Sequence, residues 1–545
     1  MNTKLHYKGP VVLVILDGFG LSDNLVGNAV KPAHKPNLDQ LMSRYPMLKI
    51  RASGTAVGLT ADQAGNSEVG HYIMGVGQIV KQALPIVDEA FATGKIFAGK
   101  TWRDAIRNVL EHQAKLHFIG CFSDGRVHAD INHLFKMIAR ADREGVQTIR
   151  IHAILDGRDV SPRTEPKYIN LTEAFLQSFN ERGRDYHIAS GGGRQFTTMD
   201  RYWSDPKMLK RALSAHVYGM ARPFHSALEA LETFRREELE LDDQWTPIFI
   251  IAGDDKQPIG KMAEHDTVIN YNFRADRAIQ FSELMTLPND QFPYFDRGKL
   301  PKVYYAGMVE YDQTLHLPGN TLVEHVEVKG TLAELEVRNG RKRYVISETV
   351  KFGHVTFYFN GNKDDKFNER LEEYVEVPNK TGEPWQFPWM RSDDITDKVI
   401  EQIKAGDFQS ILINYPNGDM VGHESHMDAS IIAVEALDLA LGRLMTAIDE
   451  AGGVLVVTAD HGNIEEEYYL DEKGQPIIKD GQILRKTSHT TNPVPFIIYD
   501  NTDNRDKYVM KTGDHFGLSN IAATMALLDG LEPLAKWDEP LIELK

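Results

Sequence analysis

Cysteine is almost absent: the 545-residue chain holds one, Cys121. No intramolecular disulfide and no cysteine-based zinc site can therefore form. The apolar run KLHFIGCF around it predicts a buried, inert thiol. Positive charge is in deficit, with 61 Lys and Arg against 78 Asp and Glu for a net −17. That balance argues against a general nucleic-acid binder, though local arginine clusters can still hold small anions. Also missing is any apolar run approaching the roughly 20 residues of a membrane-spanning helix. The opening MNTKLHYKGP has no secretory apolar stretch. A cytoplasmic protein without nucleic-acid or membrane partners is expected.

What is present suffices for two or more sizeable cores: 42% of residues are hydrophobic and 26% charged. Short β-rich runs recur, among them VVLVILDGFG, IRIHAILDGRD, YHIASGGGR, HVTFYFNG, SILINYPNGD and VLVVTADHGN. Segments of helical period such as ASIIAVEALDLALGRLMTAIDEAGG separate many of them. The alternation predicts an α/β architecture with mostly parallel sheets. Ligands in such sheets bind beyond the carboxyl ends of the strands, so the polar residues closing these runs carry the interest. Residues 313–345 and the Trp/Pro-rich 363–394 read as connections or excursions.

Asp419 and His423 stand four apart in NGDMVGHES, a spacing that on a helix puts both on one face. Asp460 and His461 follow an apolar strand in VVTADHGN, and His489 lies in KTSHTTNPVPF. Mixed carboxylate and imidazole ligands suit Mn²⁺, Zn²⁺ or Co²⁺. Asp17 closes VVLVILDGFG, where a carboxylate costs solvation unless exposed, paired or metal-bound. Ser67, in QAGNSEVGH, stands where a turn enters a helix. Its hydroxyl there is either a helix cap or a phosphoryl acceptor favoured by the free N–H groups and the dipole. A metal on that hydroxyl would make it a strong nucleophile.

The middle of the chain is rich in arginine. DGRD supplies Arg158 and Asp159, SGGGR Arg194, MDRYW Arg201, and NFRADR the pair Arg274 and Arg277, three apart. Guanidinium groups grip carboxylate and phosphate bidentately, which suits a substrate carrying both. His128, in SDGRVHAD, closes another run.

GNSEVGH, DMVGH, TADHGN and SHTTNPVP, in this order after LDGFG, resemble the alkaline-phosphatase superfamily and, more narrowly, its cofactor-independent phosphoglycerate mutases. The resemblance spans Asp17 to Pro495. It implies one metal held by Asp419, His423 and His489, and a second by Asp17, Ser67, Asp460 and His461. Ser67 would be the phosphoryl acceptor. His128, Arg158, Asp159, Arg194, Arg201, Arg274 and Arg277 match the family's substrate positions, and Lys351 a lysine near the transferred group. Asp159 would be the acid/base, with Ser67, Lys351 and Arg274 completing the catalytic set.

The implied cofactors are two divalent ions, Mn²⁺ first and Co²⁺, Zn²⁺ or Mg²⁺ as alternatives, with no 2,3-bisphosphoglycerate. The implied reaction interconverts 3- and 2-phosphoglycerate in glycolysis and gluconeogenesis through a phosphoserine. A monomer with a small-molecule phosphoglycerate substrate is expected. The domains implied are a metal domain of residues 1–81 and 316–545, and a substrate domain of 82–315 inserted in it. Closure about 78–85 and 312–320 would follow from that split. The sequence departs from the family at Ala64 and at Glu424, Ser425 and His426 after DMVGH. A metal-dependent phosphomonoesterase or sugar-phosphate mutase, or a non-catalytic metal or anion binder, are the alternatives.

Overall fold

The computed structural model describes residues 4–199, 205–312, 315–324, 328–363, 365–479 and 481–545. The chain divides into two compact units, Met1–Gln82 with Glu327–Lys545, and Ala83–Val326. Each is built on its own seven-stranded sheet and its own apolar core.

In the first unit the strands lie in the order Glu372–Val377, Arg343–Glu348, Ser410–Tyr415, Val11–Leu16, Val454–Thr458, Val494–Tyr499 and Met47–Ile50. The first five run parallel; the last two are antiparallel to their neighbours. Val11–Leu16 is buried along its whole length because helices cover both sheet faces, which is why it reads as an unbroken apolar run. The second unit orders Arg222–Phe224, Phe249–Ile251, Asp185–Gly193, Thr148–Leu155, Leu116–Cys121, Thr267–Asn270 and Tyr304–Gly307. Its four central strands are parallel. Cys121 closes one of them and is buried.

Three sequence expectations need correction. HVTFYFNG does not form a strand. Residues His354–Tyr358 continue the short helix Thr349–Gly353 as a widened helical turn. His354 meets His71 of the helix Ser67–Val76 edge to face at 5.5 Å, so packing overrides the β propensity of the run. Residues 313–345 are no mere connection, since they include the helix Leu332–Arg338 and the start of the strand Arg343–Glu348. Residues 363–394 likewise contain the edge strand Glu372–Val377, whose half-exposed EEYVEV carries little apolar signal. Arg343 joins the two stretches, with Nε 2.6 Å from Glu336 and Nη1 2.9 Å from Glu372, all three buried.

Candidate active site

Four adjacent strands of the first sheet deliver polar groups to one edge. Beyond their carboxyl ends stand Lys351, then Asp419, then Asp17, then Asp460 and His461, in the order in which the strands pair, with Asn414, the penultimate residue of its strand, beside them. This is where the physics of parallel sheets places ligands. Gly18 turns the chain after Asp17 at φ 75°, and its amide donates to Asp460 Oδ1 at 3.2 Å. A side chain there would collide with the Asp419 backbone at 2.6 Å.

Ser67 is not the helix cap. Asn66 holds that place, its side chain accepting from the Val69 amide at 3.0 Å. The Ser67 hydroxyl is thereby released to the site, 3.2 Å from Asp17 Oδ1 and 2.9 Å from His461 Nε2, with the Lys351 ammonium donating to it. Lys351 Nζ also reaches Asp17 Oδ1 at 3.0 Å and Asp419 Oδ2 at 2.7 Å. Despite burial, the carboxylates of Asp17, Asp419 and Asp460 hold its pKa above the usual lysine range. Burial would raise Asp419, but the Lys351 ammonium beside it keeps it well below the usual carboxylate range. Asp17 goes the other way: burial and the neighbouring Asp460 and Asp419 push it up against Lys351 and His461. Burial opposes ionisation of Asp460 as well, yet His461, His71 and Lys351 hold it low.

The histidines point one way. His423 Nδ1 lies 2.7 Å from the Thr487 carbonyl and His489 Nδ1 2.8 Å from the Gly65 carbonyl, so each Nδ1 carries the proton and donates it. Their Nε2 lone pairs then face each other at 3.1 Å, with Asp419 Oδ1 at 3.2 and 3.0 Å. Three acceptors converging on one point repel unless a cation lies among them. Close by, the Asp460 Oδ2 atom is buried without a hydrogen-bond partner. Ligand atoms of Asp419, His461 and His489, and of Asp17, His71 and Asp460, come within 4.8 Å of one another. The donor set fits divalent cations.

Two residues here escaped the sequence reading. Asn414 donates to Asp17 Oδ2 at 2.8 Å, and the same nitrogen lies 3.0 Å from His71 Nε2. His71 Nδ1 bonds the Ser67 carbonyl at 2.8 Å. With both ring nitrogens engaged, His71 orients the Ser67 helix on the sheet. The signal was its position four residues after Ser67, on the same helical face.

In the second unit, Asp159 Oδ2 and Asp156 Oδ1 each accept from Arg194 Nη1 at 2.6 Å. Cys121 completes a third group of possible metal ligands with them. Burial and Asp156 hold its thiol well above the usual range, and Arg194 already counters the carboxylates, so this group does not suit a metal. Burial, with Asp156 adding, raises Asp159 against the pull of Arg194 and Arg274, which suits a residue exchanging protons. His128 Nε2 lies 4.0 Å from Asp159, its Nδ1 3.6 Å from Asp276, and Arg274 Nε 3.4 Å from Asp276. Arg277 donates to the Met199 carbonyl at 2.7 Å, and Arg158 is exposed. Arg201 lies outside the described residues. Asp156 is a residue the sequence reading passed over, although it opens the quoted DGRD.

Residues 9–533 match the family model of the metalloenzyme superfamily. The 2,3-bisphosphoglycerate-independent phosphoglycerate mutase of Trypanosoma brucei brucei is 41% identical over 539 residues, covering 98% of this chain and 97% of that one. The chain belongs to the 2,3-bisphosphoglycerate-independent phosphoglycerate mutases. A mutase of this family from Ricinus communis is 40% identical, covering 99% and 98% of the two chains. The fold agrees along its full length with a Leishmania mexicana phosphoglycerate mutase solved at low cobalt concentration, at a TM-score of 0.83 and 38% identity. Membership in this metalloenzyme family accords with the converging acceptors around Asp419.

Proposed function

We propose that this chain interconverts 3-phosphoglycerate and 2-phosphoglycerate through a phosphoserine at Ser67, in the cytoplasm, as a monomer and without 2,3-bisphosphoglycerate. The observation carrying the reading is the Ser67 hydroxyl itself, freed from capping by Asn66 and held among Asp17, His461 and Lys351. We assign one metal to Asp419, His423 and His489, and the other to Asp17, Ser67, Asp460 and His461. Mn²⁺ suits this set, with Co²⁺, Zn²⁺ and Mg²⁺ as alternatives. Cations bound there supply Lewis-acid activation of the serine and neutralise charge on the phosphoryl group.

The protein's own part runs as follows. Ser67 reacts as the alkoxide, its proton lost to solvent beforehand and its charge held by the Lys351 ammonium. Oγ attacks phosphorus as the bond to the glycerate oxygen breaks, and the glycerate oxygen takes a proton from Asp159. Lys351 sits beside Oγ to receive the phosphoryl charge. His128, Arg158, Arg194, Arg201, Arg274 and Arg277 retain the glycerate by its carboxylate and remaining oxygens. Asp159 then takes the proton of the other hydroxyl, whose oxygen attacks the phosphoserine and frees Ser67. Positioning and charge supply most of the acceleration.

The deciding assay supplies 3-phosphoglycerate and Mn²⁺ without bisphosphoglycerate and follows both 2-phosphoglycerate and inorganic phosphate. Isomer without phosphate supports the mutase; phosphate alone would make the chain a phosphomonoesterase. Ser67→Ala should abolish transfer yet retain phosphoglycerate binding, and a Ser67 phosphopeptide should be trapped from the wild type. Near-normal turnover by the alanine variant ends the reading.

A further inference from the structure

A line of hydrogen-bonded side chains crosses the interior of the second unit. Asp266 Oδ2 meets His117 Nε2 at 3.0 Å, and His117 Nδ1 meets His152 Nε2 at 2.9 Å. His152 Nδ1 meets Ser190 Oγ at 2.6 Å, Ser190 Oγ meets His216 Nδ1 at 2.7 Å, and His216 Nε2 meets Thr197 Oγ1 at 3.3 Å. The three imidazoles and Thr197 are 0% exposed. None belongs to the site described above.

Chemistry gives the line a direction. Asp266 also accepts from the backbone amides of Lys115 and Ala263, each at 2.8 Å, and its partners hold it ionised against burial. It can only accept. Burial keeps the histidines neutral, lowering His117, lowering His152 strongly, and bringing His216 to about 3. Each ring therefore has one N–H. His117 must donate from Nε2 to Asp266, which leaves its Nδ1 to accept from His152 Nε2–H. His152 Nδ1 then accepts the Ser190 hydroxyl proton, Ser190 accepts from His216 Nδ1–H, and His216 Nε2 accepts from the Thr197 hydroxyl. Every donor and acceptor along the line is used once.

The far end is a turn that matters. Thr197 donates its amide to the Gly193 carbonyl at 2.9 Å, next to Arg194. Thr198 follows at φ 63°, a left-handed conformation that β-branched residues avoid. The next carbonyl, of Met199, accepts from Arg277. The turn thus carries one arginine and holds a second, and its strained backbone requires anchoring.

We propose that Asp266, His117, His152, Ser190 and His216 are positioning residues for substrate binding, a one-way hydrogen-bond chain that locks Thr197 and with it the turn presenting Arg194 and Arg277. The proposal rests on the phosphoglycerate reading above for its substrate and on geometry for its mechanism. An apolar filling would pack these positions as well but would specify no single turn conformation.

Neutron diffraction from the deuterium-exchanged, metal-loaded full chain reads the direction. Deuterons are expected on His117 Nε2, His152 Nε2 and His216 Nδ1. A deuteron on His216 Nε2, or two on any of these rings, overturns the chain. Thr197→Val removes the terminal donor at nearly constant shape, and Thr197→Ser keeps it. With 3-phosphoglycerate, the valine variant should raise KM roughly fivefold, the scale of one lost hydrogen bond. Its kcat should stay within about twofold of wild type, and the serine variant should restore KM. An unchanged KM in a folded valine variant overturns the positioning role. If the wild type fails to turn over phosphoglycerate, the substrate reading falls, and a crystal structure of Thr197→Val still judges the turn. Loss of the 2.7 Å contact between Arg277 and the Met199 carbonyl supports the proposal, and its retention in an unmoved turn refutes it.

Discussion

Replacing Lys351 by methionine keeps the bulk of the side chain and removes the ammonium lying 3.0 Å from Asp17 and 2.7 Å from Asp419. Both carboxylates and the lysine are buried. At an effective dielectric of about 20, each contact is worth roughly 5–6 kcal/mol before the desolvation of the ammonium is subtracted. Removing one partner of a buried pair costs about 3–5 kcal/mol net. Asp17 can take up a proton to relieve part of the charge, since burial and Asp460 already push its pKa up. The lower end of the range, about 3 kcal/mol, is therefore expected for metal-free protein. In a unit of this size that lowers the melting temperature by about 5–10 °C. Bound Mn²⁺ compensates the same carboxylates, so it should raise the melting temperature of Lys351→Met more than that of wild type. Scanning calorimetry of both proteins, after chelation and after adding Mn²⁺, makes the comparison. If the chelated variant melts within about 1 °C of wild type, or Mn²⁺ stabilises both equally, the charge balance argued for this site is wrong.

Gly70→Ala tests how the Ser67 helix is seated. A Cβ there would come within 2.7 Å of the Asp460 carbonyl and 2.8 Å of Asp460 Cβ, so the helix must shift. A fall in kcat of about 100-fold with unchanged circular dichroism is expected, because such shifts spoil reactive alignment; a kcat within about twofold of wild type counts against it. Glu467 offers a pH test, its carboxyl fully buried and raised to about 7 by burial, with Glu465 adding. Its folded pKa exceeds the usual glutamate value of about 4.3, so its contribution is full below that value and lost as pH rises through about 7. The melting-temperature advantage of Glu467→Gln over wild type should therefore grow by about 2–4 °C between roughly pH 5.5 and pH 8. A constant difference would place the titration elsewhere.

Where the sequence was legible, the physics was local. A buried parallel strand must be apolar throughout, so VVLVIL, SILINY and VLVVT announced themselves, and the polar residues after them fell at the sheet edge. Where it misled, packing outweighed propensity. HVTFYFNG has the β-branched and aromatic content of a strand, yet His354 lies against His71 and the segment coils. EEYVEV, an edge strand with three glutamates and no regular alternation, carries too little apolar signal to stand out.

The sequence alone determined the α/β class, the ligand chemistry and the residue types at the sheet edge, because strand burial and side-chain chemistry are properties of short segments. It left Ser67 open between helix cap and nucleophile, and only the folded chain took it out of the cap position, by putting the Asn66 side chain on the Val69 amide. The tertiary structure alone also aimed the His423 and His489 lone pairs at Asp419 through carbonyls of Thr487 and Gly65, the latter 424 residues from its histidine in sequence. In the same way it strung three buried histidines from three separate segments into one line between Asp266 and Thr197. Such contacts depend on which strands become neighbours. That choice is made by the burial of whole faces at once, and no local pattern of residues encodes it.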